Sequence, residues 1–279
     1  MIKHTGLTRI DLVVAVVCVV FVLANVPVIV AGGRQRAKLE VCMTNLRTLT
    51  SAWSMYADDN DGKIPGSDIG YQTNVNPRST WWIDWPDQFS GTPSYSVFSY
   101  VGLNWPVAGY SVDQLVDHAK QAIKDGRLWP YIEDLKSYKC PTSRPGDYQS
   151  YTMVDSMNGW CGWPDSATTG KKKITNKIQI QNPAERIVLL CECPQGFGNG
   201  KGSWGVYYTR ESFGDAPPKH HDEGTTFSFA DGHSEYWKWE DQRTLDGPPS
   251  GNWLGWESPG NEDLQRLQIG IWGELGYTP

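Results

Sequence analysis

The chain has 279 residues and a formal net charge of −6, with 39% hydrophobic residues, 20% charged residues and 14 tryptophans. That length holds one or two domains and a core that does not depend on a disulfide framework. The acidic balance argues against nucleic-acid binding, which needs a basic patch, and 29 glycines with 18 prolines indicate a loop-rich fold.

A polar leader carrying Lys3 ends at Gly6, and Leu7, Thr8, Arg9, Ile10 and Asp11 follow; from Leu12 to Ala31 the chain is apolar except for Asn25 and Pro27. Twenty residues at about 1.5 Å rise each span roughly 30 Å, the thickness of a bilayer core. A carboxylate costs about 2.5–3.5 kcal/mol at mid-membrane, so Asp11 either sits at the interface or has a partner. The run exceeds the apolar region of a secretory signal peptide, and Ala31-Gly32-Gly33 is a poor cleavage site, although that reading and a plain signal anchor both stay open. Basic residues flank both sides, Lys3 and Arg9 before and Arg34, Arg36 and Lys38 after, so they leave the orientation undecided.

Gly32-Gly33 weakens the helix, and Arg34 to Tyr56 reads as helix again. Cys42, Leu46, Leu49, Trp53 and Tyr56 form an apolar stripe, with Arg36, Glu40, Arg47 and Ser54 opposite. Such a stripe must be buried, most simply on a sheet formed by the later chain. Asp59, Asp61 and Gly62 fall at EF-hand positions 3, 5 and 6, but Ala57 takes position 1; the stretch reads as a C-cap with Gly62 left-handed. Residues 65–110 read as long loops, and Val112 to Asp125 as a helix stopped by Gly126. Strands are expected at Ser150–Val154, Arg186–Cys193 and Trp204–Tyr208. Lys171-Lys172-Lys173 reads as a solvated edge, and Gly196–Gly205 as a flexible loop.

In KHHDEGTTFSFADGHSEYWKW, Thr225–Ala230 and His233–Trp239 alternate as strands, and Asp231-Gly232 is a type I′ hairpin signal. His220, His221, Asp222, Asp231 and His233 are raw material for metal binding or acid–base work. Packing and turn formation explain them more economically, and no G-x-S-x-G, H-E-x-x-H or P-loop is present. Neither a cofactor nor a metal is expected, and the chain does not read as an enzyme. Outside the apolar run the cysteines are Cys42, Cys140, Cys161, Cys191 and Cys193, an odd number with no zinc-site spacing. In an exported protein disulfides would be favoured over metal, with connectivity open. Trp253, Trp256 and Trp272 could stack on sugar rings, meet a neighbouring subunit or plug the sheet edge.

Gly6, Thr8, Ile10 and Leu12 match the signal of type IV prepilins and type II secretion pseudopilins, with Leu7, Arg9 and Asp11 departing from it. CMTNLRTLTSAWSMYADDNDGKIP resembles the segment after the anchor in pseudopilin-like proteins, GRLWPYIEDLKSYKCPTS a further element of that group, and His221-x9-Asp231-Gly232 its C-terminal hallmark. The resemblance implies cleavage after Gly6 by a prepilin peptidase, methylation of Leu7, and pairing of Asp11 with the amine of a neighbouring subunit. It also implies a Cys42–Cys140 disulfide and an α+β, pilin-like fold, a long helix on an antiparallel sheet. The expected organisation is a leader at 1–6, a transmembrane and assembly helix at 7–31, its amphipathic continuation at 32–62 and a loop-rich globular domain at 63–279. The resemblance further implies a single-pass inner-membrane protein with an extracytoplasmic domain, built into a periplasmic or surface fibre with other pseudopilin subunits. A membrane-anchored carbohydrate-binding module is the alternative.

Overall fold

A computed structural model describes residues 9–67, 112–143, 149–159, 170–192 and 203–279, in two compact units, Met1–Glu40 and Val41–Pro279. The fold is α+β, rich in loops, with an antiparallel sheet. Most of the expected loop region at 65–110, the expected loop at 196–202, Cys161 and Cys193 lie outside the described residues.

Helix α1, Arg9–Asp59, runs through Gly32 and Gly33 without interruption. In the first unit Ile10, Leu12, Val13, Val16, Val17 and Phe21 are exposed. Among the described residues, no helix is long and apolar enough to cross a membrane. Side chains at 11, 19, 20 and 22–31, within the expected span, lie outside the described set.

In the second unit the predicted stripe is buried: Cys42, Leu46, Leu49 and Trp53 have no exposed surface, and Tyr56 packs at the margin. Burying each large side chain contributes about 1.5–3 kcal/mol, which seats this half of α1 far more firmly than helix propensity does. The helix ends as predicted, with the Gly62 N–H donating to the Ala57 carbonyl at 2.8 Å and Gly62 at φ +79°. Helix α2, Val112–Asp125, stops at Gly126, whose N–H reaches the Ile123 carbonyl. A single turn, α3 (Trp129–Ile132), and a 3₁₀ turn at Leu135–Tyr138 then lead to Cys140.

Six strands follow: β1 (Tyr151–Met153), β2 (Ile187–Cys191), β3 (Ser212–Phe213), β4 (Gly224–Phe229), β5 (Ser234–Lys238) and β6 (Trp256–Glu257). β1, β2, β4 and β5 form one antiparallel sheet in the order β1-β2-β4-β5, and β3 pairs with β6 in a small ribbon. Two short helices complete the chain, α4 (Gln242–Asp246) and α5 (Glu262–Trp272). The alternation of β4 divides its faces. Thr226 and Ser228 turn to α1, where the Ser228 hydroxyl meets that of Thr50 at 2.6 Å. Phe227 faces the other way, against Trp237 at 4.5 Å between ring centroids. On that side Gly270 of α5 lies against Ile187 and Trp237, close enough that a Cβ would meet Ile187 Cδ1 at 2.5 Å. The sheet is thus covered on both faces.

Two expectations need correction. Trp204–Tyr208 is not a strand; it makes only isolated bridges, Val154 with Trp204 and Val206 with Phe213. The Gly205 N–H is taken by the Asp215 carboxylate at 2.9 Å, which interrupts any ladder. The hairpin turn is also not type I′. Among the described residues Gly232 is left-handed at φ +97° but Asp231 is not. The Gly232 N–H donates to the Phe229 carbonyl and the Phe229 N–H to the His233 carbonyl. This is a three-residue loop, Ala230-Asp231-Gly232, built as a type I turn with glycine in the following left-handed position.

Candidate metal centre

Four side chains that are remote in sequence meet beside α1. Cys42 opens the buried part of that helix. One turn on, the Asn45 amide donates to the Lys139 carbonyl at 3.0 Å and to the Tyr151 hydroxyl at 3.1 Å, fixing the chain next to Cys140. The Ser150 N–H donates to the Tyr138 carbonyl, closing the same loop from the other side. Cys191 is the last residue of β2, a strand of five buried residues. His221 lies in the tight turn that enters β4, where Asp222 and Glu223 are left-handed at φ +50° and +63° and the His221 N–H donates to the Gly224 carbonyl.

The Cys42, Cys140 and Cys191 sulfurs and an imidazole nitrogen of His221 all lie within 4.8 Å of one another. Cys140 Sγ is 3.3 Å from His221 Nε2. The three cysteines have no exposed surface, and His221 retains 6%. Each sulfur also has a polar neighbour outside the cluster. Cys42 Sγ is 3.1 Å from the Thr226 hydroxyl and 3.5 Å from that of Tyr151. Cys140 Sγ accepts from the Thr142 N–H at 3.5 Å, with the Thr142 hydroxyl at 2.9 Å. Cys191 Sγ is 3.1 Å from His220 Nε2. Burial pushes the Cys42 thiol up to about 12 and the Cys191 thiol well above its ordinary value, while it lowers His220. The Tyr151 phenol is raised by burial too.

The cysteine pair that the family resemblance implied, Cys42 and Cys140, is therefore adjacent, but no disulfide joins them and a third cysteine, Cys191, meets them with His221. Local spacing offers no zinc site and export would favour disulfides over metal; the fold instead gathers Cys191 and His221 with that pair. The cluster's residues come from four elements, with 81 positions between Cys140 and His221 alone, so no short C-x-x-C signature exists to be read. The one legible signal was His221.

The other motif residues are elsewhere. Asp231 and Gly232 stand at the far end of β4, six residues of strand away, or about 20 Å from the His221 end. Asp231 accepts from the His233 N–H at 3.1 Å and meets His233 Nδ1 at 2.6 Å. Partial desolvation pushes Asp231 up, but the His233 hydrogen bonds hold it below the ordinary aspartate value. The His233 ring stacks on Phe229 at 4.4 Å. His221 and Asp231 therefore do not meet as an acid–base pair. The nine-residue spacer measures out a strand.

Gly6 and Leu7 lie outside the described residues, and Asp11 is in α1 with its side chain outside them. Trp272 is buried, its indole donating to the Val206 carbonyl at 3.0 Å. Trp253 and Trp256 are half-buried and close on Phe213 at 5.3 and 5.6 Å, a cluster that seals the β3–β6 ribbon. Lys172, from the predicted charge run, pairs with Glu274 at 2.5 Å. Comparison with known proteins returned no match: no protein family, curated protein or solved structure is significantly similar to the chain.

Proposed function

We propose that the chain is a pseudopilin-like structural subunit, matured by a prepilin peptidase and assembled through the first part of α1 into a fibre of a type II secretion-like system. The observation that supports this reading is the division of α1. Its first part displays Ile10, Leu12, Val13, Val16, Val17 and Phe21 on all sides, whereas from Cys42 onward one face is buried on an antiparallel sheet. A helix that is apolar all round needs an apolar environment, either lipid or the same helix from other subunits. In the assembled state Asp11 pairs with the N-terminal amine of a neighbour, which makes its burial tolerable. The globular unit then lies outside the cytoplasmic membrane, and the partners are the peptidase and other pseudopilins.

The test is the N-terminus and intact mass of the protein taken from native membranes. A start at Leu7 with one added methyl is expected. A start near Gly32, or an uncut Met1, refutes the fibre reading. In cells, Asp11→Ala should abolish crosslinked multimers while leaving the globular unit folded.

A further inference from the structure

We propose that Cys42, Cys140, Cys191 and His221 bind one structural zinc ion. Zinc takes tetrahedral thiolate and imidazole sets, with bonds of about 2.3 Å to sulfur and 2.0–2.1 Å to nitrogen. Those bonds place ligand atoms roughly 3.5–3.8 Å apart, which suits four atoms mutually within 4.8 Å and a sulfur–nitrogen approach of 3.3 Å. Three soft sulfurs and one imidazole in a closed tetrahedron select zinc over the harder calcium and magnesium.

A second observation points the same way. Hydroxyl and N–H groups from Thr226, Tyr151 and Thr142, with an imidazole nitrogen of His220, surround all three sulfurs. Neutral thiols in a core need no such shell. Thiolates do, because a dication leaves one of three negative charges uncompensated, and outer hydrogen bonds spread it over the surroundings. A disulfide accounts for less: any bond among the three cysteines leaves one thiol and His221 without a role.

The ion's work is mechanical. All four coordination positions are filled by protein and the site is buried, so no place remains for substrate or water. Its ligands come from α1, the loop after the 3₁₀ turn, β2 and the turn into β4, so the ion fastens the helix to the sheet. On this assignment the histidine of the His-x9-Asp-Gly pattern is a ligand, and the hairpin is the device that delivers it. Metal entry releases the three thiol protons.

The experiment is metal analysis of the full chain, purified in mild detergent without chelator. One zinc per chain is expected, with Cys42, Cys140 and Cys191 alkylated only after a chelator under denaturing conditions has removed the ion. Cobalt substituted for zinc should show the intense visible and thiolate charge-transfer bands of a tetrahedral sulfur site. His221→Ala should lose the bound metal, and His233→Gln, beyond the other end of β4, should keep it. The wild-type measurement stands even if a variant fails to fold. Substoichiometric metal after growth in zinc, or a disulfide between any two of the three cysteines in the mass map, overturns the proposal. The N-terminal processing of the chain does not bear on these outcomes.

Discussion

The seating of α1 on the sheet predicts an asymmetric mutational pair at Thr50 and Ser228. Both side chains are buried, with 1% and no exposed surface, and their hydroxyls meet at 2.6 Å. Thr50 also reaches the Leu46 carbonyl at 2.9 Å, whereas the Ser228 hydroxyl faces the helix. Thr50→Val keeps the shape and the helix propensity but leaves the Ser228 hydroxyl buried and unmatched, at a cost of about 1–3 kcal/mol. Ser228→Ala leaves Thr50 with the Leu46 carbonyl, so its cost is one net hydrogen bond, about 0.5–1.5 kcal/mol. With both hydroxyls gone nothing is stranded, and the double variant should be little worse than Ser228→Ala. The coupling energy is then close to the whole Thr50→Val cost, about 1–3 kcal/mol, well above the scatter expected for independent sites. Urea unfolding of the full chain in mild detergent, followed by tryptophan fluorescence, measures all four corners of the cycle. Additive costs, or a larger loss for Ser228→Ala than for Thr50→Val, would show that α1 does not sit on β4 in this register.

Two further outcomes concern the loops. Gly232 is at φ +97° with open space where a Cβ would go, so Gly232→Ala should cost about 1–2 kcal/mol of conformational strain alone, read as a lower urea midpoint with unchanged slope. Desolvation, with the Asp155 and Glu192 carboxylates adding to it, pushes Asp215 well above its ordinary value. A raised acid binds more protons folded than unfolded, so its contribution is full below about pH 3.9 and is lost as pH rises through the folded value. Asp215→Asn still offers an oxygen to the Gly205 N–H, and its stability relative to wild type should grow as pH rises above 4. A difference that stays flat between pH 4 and 8 would remove the argument.

Local pattern was enough wherever a physical rule acts over a few residues. The stripe from Cys42 to Tyr56, the stop at Gly62, the helix ending before Gly126 and the buried strand around Ile187–Cys191 follow from helical periodicity, left-handed glycine and β-branched runs. The paired strands around Asp231-Gly232 were legible too, but the turn type was not. The two turns differ by one residue of loop length and by the sign of φ at Asp231, and the strand register decides between them. Trp204–Tyr208 carried a strand composition, yet the Asp215 carboxylate, ten residues later, took the backbone donor a ladder needs.

What the amino-acid order determined by itself was the inventory: an amphipathic helix that must be covered, strands to cover it, and a histidine set one strand's length before a tight turn. Which groups meet was decided only by the tertiary fold. Cys42, Cys140, Cys191 and His221 converge because α1, the loop at Cys140, β2 and the start of β4 pack against one another. Spacing along a chain carries information about proximity only within an element or a short turn. Across four elements the hydrophobic burial that assembles the core sets the distances, and chemistry gathered that way leaves no local signature.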